Sequence, residues 1–337
     1  MRFRRLVIMD YGPPEVLQMV EGELPEPGAG LVRIRVLAAG VSFSDLLMRR
    51  GLYPNQTQPP FTPGFDVVGE VESIGFGVQG FRVGQTVCAL TVYGGYSESM
   101  ILPGRELFSV PPGLDRSEAA AVVLNYVAAS QMLHRAAKVK RGGSILVHGA
   151  AGGVGSALVQ LAKLAGLTVY GTASEAKLEF VEKLGAIPVE RRISFVHDLK
   201  GKMGAGHPGV DAVFDSIGPE FWKEDRQVLR SGGELVTFGS QFAYRPGDHA
   251  ESKNWQQPFA KARGLFGAAR RSQSYSITEW RKQHPQWFHQ DLTQMLHYLH
   301  EKRIKPVIGQ TFPWQDAAQA HAMLENRELT GKAVLLF

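Results

Sequence analysis

A glycine-rich stretch between an apolar strand and an apolar helix is the feature that most constrains how this chain can fold. The strand is predicted over 144–148, the turn covers 149–155, and the helix is predicted over 156–165. In this context Gly152 lets the backbone approach a pyrophosphate, Gly155 lets the helix pack closely on the strand, and the helix N-terminus attracts phosphate. A plain strand-to-helix turn is the alternative. The candidate dinucleotide contacts are Ala151, Gly152, Gly153, Val154 and Gly155.

The part of the chain before this turn has the pattern of a β-rich domain. Up to about residue 122, strands are predicted over 31–37, 67–75 and 83–90, and glycine or proline residues separate them. The first of these strands alternates apolar and basic residues, as a half-buried strand does. This region is therefore expected to form a β-domain of its own.

From about residue 123 to 240, strands alternate with helices. Further buried strands are predicted over 167–170, 210–215 and 234–238, with a helix over 177–184. Buried strands separated by helices indicate a parallel sheet covered on both faces. We therefore predict an α/β protein with a β-rich domain and a doubly wound parallel-sheet domain.

The C-terminal part returns to a mixed pattern. An amphipathic helix is predicted over 291–301, a second helix over 317–325 and a last strand over 332–336. The chain contains no run of about 18 uncharged apolar residues, so no transmembrane helix is expected. The basic N-terminus meets Asp10 and Pro13 before any long apolar stretch, which argues against a signal peptide. A cytoplasmic location is therefore expected.

The net charge of +5 arises in one segment, residues 241–290. This segment carries eight Lys or Arg residues, three acidic residues and nine aromatic residues. Such a mixture could bind single-stranded nucleic acid, an anionic membrane surface, or an acidic or CoA-like substrate. A lid and dimerisation segment, with packed aromatic residues and solvated charges, is the alternative, with weak membrane contact left open. No nucleic-acid partner is expected, because no nucleic-acid-binding motif accompanies the charge.

The end of the second strand bears on the choice between NADH and NADPH. An NADH site usually places Asp or Glu there to bind the ribose 2′-hydroxyl, and Ala173 stands at this position. Ser174 and Lys177 follow, and a hydroxyl and an ammonium group suit a 2′-phosphate. NADPH is therefore the expected cofactor. Two alternatives remain, that Glu175 reaches the ribose and that Lys177 is an ordinary surface residue.

Most of the chain resembles one known family. The matching stretches lie at 39–54, 63–71, 94–98, 149–155, 214–218, 304–306 and 331–336. They are similar to the zinc-free quinone oxidoreductase branch of the medium-chain dehydrogenase/reductase superfamily, with some features of the vesicle amine transport protein relatives. The resemblance implies a GroES-like β-barrel domain over 1–122 and 288–337. It also implies a Rossmann domain over 123–287, with the basic aromatic insert at about 241–287.

The resemblance also allows a metal site to be tested residue by residue. Similar zinc alcohol dehydrogenases carry Cys where Ser42 stands and His where Phe65 stands, and neither residue present here can replace those ligands. Cys88 is the single cysteine, so the structural zinc lobe cannot form, and Cys88 is expected in the core. No metal is expected.

The expected activity is hydride transfer from NADPH to a quinone or an α,β-unsaturated carbonyl compound. Such acceptors need no Lewis acid, whereas alcohol oxidation usually does. One alternative is a non-catalytic NADPH-binding protein that acts at membranes or in lipid exchange. Another is a zinc-independent alcohol dehydrogenase. The expected partners are a small-molecule substrate and a second copy of the chain.

The residue patterns and the family resemblance together suggest candidate site residues. Tyr53 is the first candidate to donate a hydrogen bond to the acceptor oxygen, with Ser42 and Asn125 as further catalytic candidates; aromatic packing is the alternative for Tyr53. Asp215 and Gly218 follow a sheet strand, where ligands approach such sheets. The resemblance adds three cofactor contacts: Gly239, Ser240 and Lys332.

Overall fold

The computed structural model describes residues 1–192, 194–239 and 271–337. The chain divides into two compact units. The N-terminal unit contains Met1–Leu124 and Leu292–Phe337, and the parallel-sheet unit contains Asn125–Asp291. The boundaries expected from the sequence, at 122/123 and 287/288, lie within four residues of these positions.

The N-terminal unit is built on antiparallel strands. β1 (Arg2–Ile8) and β2 (Leu17–Glu23) form a hairpin. A seven-stranded sheet has the order β14-β15-β3-β4-β5-β7, and β6 pairs with β3. Because β15 pairs with β3, the last strand of the chain completes this sheet. The strands are β3 (Leu31–Val41), β4 (Asp66–Ile74), β5 (Thr86–Leu90), β6 (Ser99–Pro103), β7 (Phe108–Ser109), β14 (Ile308–Pro313) and β15 (Lys332–Leu336).

Short helices complete this unit. They are α1 (Phe43–Arg49), α2 (Arg116–Ala121) and, near the C-terminus, α10 (Ala317–Glu325). The core combines alternate residues of β3 with residues from the end of the chain, among them Trp314 and Leu335. Alternation in β3 therefore places its apolar side chains inside, as predicted.

The described part of the parallel-sheet unit forms a six-stranded sheet in the order β10-β9-β8-β11-β12-β13. Every neighbouring pair is parallel. The chain begins in the middle of the sheet and winds outward twice, which is the Rossmann order. The strands are β8 (Ser144–His148), β9 (Thr168–Ala173), β10 (Ile187–Glu190), β11 (Val210–Asp215), β12 (Leu229–Phe238) and β13 (Arg271–Tyr275). All five residues of β8 are buried, which agrees with its continuous apolar pattern.

Helices connect the strands of this sheet. α4 (Gly153–Leu164) begins three residues earlier than predicted, because Gly152 takes the extended N-cap conformation. The other helices between strands are α5 (Leu178–Lys183), α6 (Phe195–Met203) and α7 (Trp222–Val228). After β13 come α8 (Ile277–Gln283) and α9 (Pro285–His300). α9 begins before the predicted residue 291, at a proline that suits the first helical position.

A continuous helical segment over 116–137 precedes β8. It contains α2, a π-helical turn at Val122–Tyr126, α3 (Val127–Ser130) and a second π-helical turn at Gln131–Ala137. Such turns occur often at functional sites. Asn125 lies in the first of them.

Candidate functional site

The carboxyl ends of the parallel strands define one edge of the sheet. His148 of β8 pairs in register with Thr172 of β9, and Asp215 of β11 pairs with Thr237 of β12. β8 and β11 are neighbours from the two oppositely wound halves, so the loops that follow them flank the topological switch point. Ligands of open α/β sheets bind at this place.

The glycine-rich turn after β8 leaves the strand through Gly149. This residue has φ +67°, a left-handed conformation that favours glycine. The N–H of Ala150 donates to Thr172 O at 3.0 Å, and the N–H of Gly152 donates to Gly149 O at 2.9 Å. Gly149 therefore makes the tight turn. The next position, Ala150, does not need to be glycine for this purpose.

At two further positions of the turn, neighbouring atoms leave no room for a side chain. A Cβ atom at Gly155 would lie 2.1 Å from Gly149 O, and one at Gly153 would lie 2.5 Å from Asn125 Nδ2. The close packing expected at Gly155 is thus present. Gly152 is exposed and Gly153 and Val154 are half-buried, whereas Ala151 is buried. The backbone at the start of α4 is accessible, as phosphate binding requires.

The turn and Asn125 come together in this unit. Asn125 is 5% exposed, and its amide lies beside the first residue of α4, Gly153. The structure thus brings one of the three catalytic candidates next to the predicted phosphate-binding turn.

The ends of β9 and β10 bring basic residues together. Ser174 follows β9 in an extended conformation, and Lys177 is half-buried at the end of a short 3₁₀ helix, Glu175–Lys177. Burial lowers the pKa of Lys177, and the positive charge of Arg191 lowers it further. The N–H of Arg191 donates to Ala173 O at 2.8 Å, which places Arg191 at the same edge. The sequence reading missed Arg191, although its position directly after β10 was a usable signal.

Asp215 contacts its own loop instead of solvent. Its carboxylate accepts hydrogen bonds from the N–H groups of Ile217 (2.7 Å) and Gly218 (3.1 and 3.2 Å), and from Trp222 Nε1 (2.8 Å). Burial raises the pKa of Asp215 to about 6, and the Asp225 carboxylate raises it as well. In the structure the Asp215 oxygens hold the loop that contains Gly218, and contact of Asp215 with a cofactor stays a prediction. Gly218 itself has φ +128° and ends that loop segment.

A buried polar network lies beneath the turn. His148 Nδ1 is 2.9 Å from Thr172 Oγ1, and His148 Nε2 is 2.8 Å from Asp225 Oδ1. All three side chains have 0% exposure. Burial is the largest single influence and lowers the pKa of His148, but the charge and hydrogen bond of Asp225 together with the charge of Asp215 raise it, and the net shift is upward. Sequence reasoning missed this network, because Asp225 lies 77 positions after His148 and only the fold joins them.

Gly239 follows β12 at the same edge. It is exposed and has φ +58°, and no described residue has an atom within 4 Å of the position that a Cβ atom would take. Its neighbour Ser240, another expected cofactor contact, lies outside the described residues. Residues 241–270 of the basic aromatic segment also lie outside them.

In the N-terminal unit, Ser42 caps helix α1. Its hydroxyl accepts from the Asp45 N–H at 3.2 Å and its backbone N–H donates to Asp45 Oδ2 at 2.8 Å, which forms a capping box. The hydroxyl also donates to Asp45 Oδ2 at 2.6 Å. Asp45 Oδ1 accepts from the N–H of Gly64 at 2.9 Å. Burial raises the pKa of Asp45 to about 6. Ser42 thus stabilises the start of α1, and its hydroxyl hydrogen is donated to the Asp45 carboxylate.

Tyr53 lies in the loop after α1 and is half-buried. Its ring packs edge-on against Phe65, with centroids 6.1 Å apart, and its N–H donates to Gln56 Oε1 at 3.1 Å. Phe65 is 1% exposed. These contacts fix the ring, and Tyr53 stays a candidate hydrogen-bond donor.

Lys332, an expected cofactor contact, forms a buried pair with Asp66 in the N-terminal unit. Its Nζ lies 2.8 Å from Asp66 Oδ2, and the two side chains are 3% and 0% exposed. A Cβ atom at Gly40 would lie 2.1 Å from Asp66 Oδ1 and 2.2 Å from Lys332 Cε, so this glycine makes room for the pair. The Lys332 side chain is thus buried against Asp66, and its contact with the cofactor stays a prediction.

The described residues contain neither a metal-binding group of side chains nor a membrane-spanning helix. Among them, no group of three or more His, Cys, Asp or Glu side chains is arranged to hold a metal ion. None of the helices in the described ranges combines the length and the apolar character needed to cross a bilayer. Cys88 is fully buried, as expected, and burial raises the pKa of its thiol.

Two family models match the chain. A zinc-binding dehydrogenase model covers residues 190–335, and an alcohol dehydrogenase GroES-like domain model covers residues 28–112. The two models therefore identify a GroES-like domain and a dehydrogenase domain, in agreement with the predicted fold class.

Known proteins match over nearly the whole chain. Quinone oxidoreductase of Rattus norvegicus is 32% identical over 99% of this chain and 97% of its own length. The synaptic vesicle membrane protein VAT-1 homolog-like of Homo sapiens is 28% identical over 98% of this chain and 80% of its length. The crystal structure of Escherichia coli quinone oxidoreductase complexed with NADPH superimposes with a TM-score of 0.85, at 26% identity, over 99% of this chain and all of that chain. This chain belongs to the medium-chain dehydrogenase/reductase superfamily, in its zinc-free quinone oxidoreductase branch.

Proposed function

We propose that this protein is an NADPH-dependent reductase of quinones or α,β-unsaturated carbonyl compounds. The observation that carries the proposal is the glycine turn at the sheet edge, with Ser174, Lys177 and Arg191 grouped at the ends of the adjacent strands. Its family membership and the NADPH complex of the Escherichia coli relative support the same reading.

The residues present fit NADPH. The close approach at Gly155 and the accessible backbone of Gly152 and Gly153 form a cradle that side chains would fill. The N–H groups at the start of the 12-residue helix α4 would hold the pyrophosphate. Ser174, Lys177 and Arg191 would hold the 2′-phosphate, because a hydroxyl and two cations complement a dianion. NADPH, when bound, supplies the hydride for reduction of the acceptor.

The protein's own part in the reaction is to orient the acceptor and stabilise charge. We assign to the Tyr53 hydroxyl a hydrogen bond to the acceptor oxygen, which becomes more negative as reduction proceeds. We assign to the Asn125 amide the orientation of the ligand beside the turn, because Asn125 is buried against Gly153. We assign no contact with the acceptor to Ser42, which caps helix α1.

Steady-state NADPH oxidation with 9,10-phenanthrenequinone, 1,2-naphthoquinone and simple enones tests the proposal. We expect saturable oxidation with at least one of these acceptors. Tyr53→Phe should lower kcat by about 100-fold or less while leaving the NADPH KM near the wild-type value. Binding of NADPH without turnover across the whole panel would reject the reductase.

A non-catalytic role at membranes is the second candidate. The similarity to the VAT-1 homolog-like protein favours it, together with an aromatic and basic cluster on α8 and α9. There the Trp280 and Trp287 rings lie 5.8 Å apart, and Arg135 of the second π-helical turn lies 4.9 Å from the Trp287 ring. Co-sedimentation with anionic liposomes, compared with Arg281→Glu/Lys282→Glu, tests this role. Binding that is insensitive to the charge reversal would count against it.

We also propose a homodimer. Among the described strands, β13 stands at the end of the parallel sheet and presents an unpaired side to a partner. Size-exclusion chromatography with light scattering should give twice the mass of the 337-residue chain. A monomeric mass at micromolar concentration would reject this assembly.

A further inference from the structure

The buried pair of His148 and Asp225 lies between the loops that form the candidate cofactor site. His148 is the last residue of β8 and directly precedes Gly149, where the glycine turn begins. Its Nδ1 contacts Thr172 of β9, two residues before Ser174. Its Nε2 contacts Asp225 of α7. One imidazole therefore joins the strand before the turn, the strand before the 2′-phosphate residues, and a helix.

Helix α7 extends this connection to the second loop of the switch point. Besides Asp225, it carries Trp222, whose indole N–H donates to Asp215 Oδ2 at 2.8 Å. Asp215 in turn accepts from the N–H groups of Ile217 and Gly218. The loops after β8 and β11, and the end of β9, are thus tied to one buried hydrogen-bonded unit.

The surroundings of the pair fix its geometry. The Phe195 ring packs edge-on to the imidazole at 5.1 Å, and the Phe221 ring lies 5.4 Å from it. Asp225 Oδ2 is buried and makes no hydrogen bond within the described part of the chain, so His148 is the one side chain seen to bind this carboxylate. A buried, hydrogen-bonded pair of polar side chains contributes little net stability compared with well-packed apolar residues, whereas removing one partner is costly. Its presence here calls for a reason other than stability.

We infer that His148 and Asp225 are positioning residues of the cofactor site, which hold the glycine turn, the end of β9 and the loop after β11 in the spacing that NADPH requires. The inference rests on the proposed NADPH site and goes beyond it, since neither side chain needs to touch the cofactor. Hydrogen bonds between fixed elements restrict the loops to one arrangement, and a small displacement of a binding loop has a large effect on ligand affinity.

A set of variants in the full-length protein separates positioning from stability. His148→Phe leaves the Asp225 carboxylate buried without its partner, so it should lower the unfolding temperature and weaken NADPH binding about tenfold or more. His148→Phe/Asp225→Leu places two apolar side chains among Phe195 and Phe221, so the unfolding temperature should recover. NADPH affinity should remain weakened about tenfold in this double variant, because the hydrogen bonds between the loops are still missing.

His148→Gln provides a milder variant that keeps an amide able to reach Asp225. Its NADPH affinity should stay within about threefold of wild type. His321→Asn is the matched control, because His321 is also fully buried with both ring nitrogens bonded, but to Arg49 and Tyr96 of the N-terminal unit. It should lower the unfolding temperature and leave the dissociation constant for NADPH unchanged.

Calorimetric titration with NADPH and thermal unfolding are measured for each variant. Weakened binding in the restabilised double variant, with near-normal binding in His148→Gln, would support the inference. Wild-type affinity in the double variant would overturn it and leave the proposed function intact. Failure of the wild-type protein to bind NADPH would overturn the proposed function and this inference together.

Discussion

The two units of the molecule use their predicted site residues in different ways. In the parallel-sheet unit, the glycine turn, Asn125, Ser174 and Lys177 lie along one sheet edge or beside it. In the N-terminal unit, Ser42 caps a helix and Lys332 is buried against Asp66. Steric limits within a few residues therefore shape the backbone of the glycine turn, whereas Ser42 and Lys332, and Asp215 in the parallel-sheet unit, bind partners that the fold brings to their side chains.

The largest effect on NADPH affinity is expected when a methyl group is added at Gly155 in the parallel-sheet unit. Its Cβ atom would lie 2.1 Å from Gly149 O, a backbone atom that cannot move without opening the turn. Gly155→Ala should therefore weaken NADPH binding about 100-fold or more, measured by calorimetric titration. Gly201→Ala in α6 is the control, since nothing lies within 4 Å of its Cβ position. Equal affinities of the two variants would show that the turn does not bind the cofactor.

The next largest effect is expected in the N-terminal unit. Lys332→Met leaves Asp66 charged and buried, and it should lower the free energy of unfolding in urea by about 3–5 kcal/mol. Lys332→Met/Asp66→Leu should recover most of this loss. NADPH affinity should change little in the restabilised variant. If this double variant binds NADPH tenfold more weakly at normal stability, Lys332 belongs to the cofactor site and the two units do not differ in this respect.

Removing the cations at the ends of β9 and β10 should have a smaller, cofactor-selective effect. Lys177→Ala/Arg191→Ala should weaken NADPH binding about 10- to 100-fold and NADH binding little, because only NADPH carries the 2′-phosphate. Lys183→Ala is the control, because Lys183 is exposed and pairs with Glu179. The titrations are run with both cofactors. Equal losses for NADPH and NADH would contradict the assignment of this edge to the 2′-phosphate.

The mildest test concerns pH. Burial and the Arg49 charge lower the pKa of His321 to about 3, so folding keeps this imidazole neutral. Between about pH 6.5 and 3 the unfolded chain binds a proton that the folded chain does not, and stability falls with acid. The stability advantage of wild type over His321→Asn should therefore shrink by about 1.4 kcal/mol per pH unit below 6.5. A constant difference, measured by urea unfolding from pH 7 to 5, would contradict it.

The contribution of His148 to stability should depend on pH in the opposite direction. Its net pKa shift is upward because of Asp225, so its contribution is present below the pKa of the unfolded state and is lost as pH rises through the folded value. The two buried histidines differ in the charge of their partner, a carboxylate for one and a guanidinium for the other. The sequence around each histidine carries no sign of that difference.

Much of the fold was predictable because local pattern and tertiary environment agree. The bounds of β8, β11, α10 and β15 match the predicted ones, and each combines a clear apolar pattern with burial. The glycine turn was predictable because steric limits act within a few residues. β12 begins at Leu229 instead of 234, since its first residues join the sheet despite a polar, glycine-containing sequence.

Side-chain tasks were less predictable because their partners are distant in sequence. Lys332 and Asp66 are 266 positions apart, and His148 and Asp225 are 77 apart. Neither pair has a local signature. Arg191 was within reach, because it follows a strand whose carboxyl end lies beside that of β9.

The most direct test of the account is a calorimetric titration of the full-length wild-type protein with NADPH and, in parallel, with NADH. The account predicts saturable binding of NADPH, at least about tenfold tighter than NADH, because a hydroxyl and two cations at the ends of β9 and β10 complement the 2′-phosphate. Equal affinities, tighter binding of NADH or no binding of NADPH would contradict it.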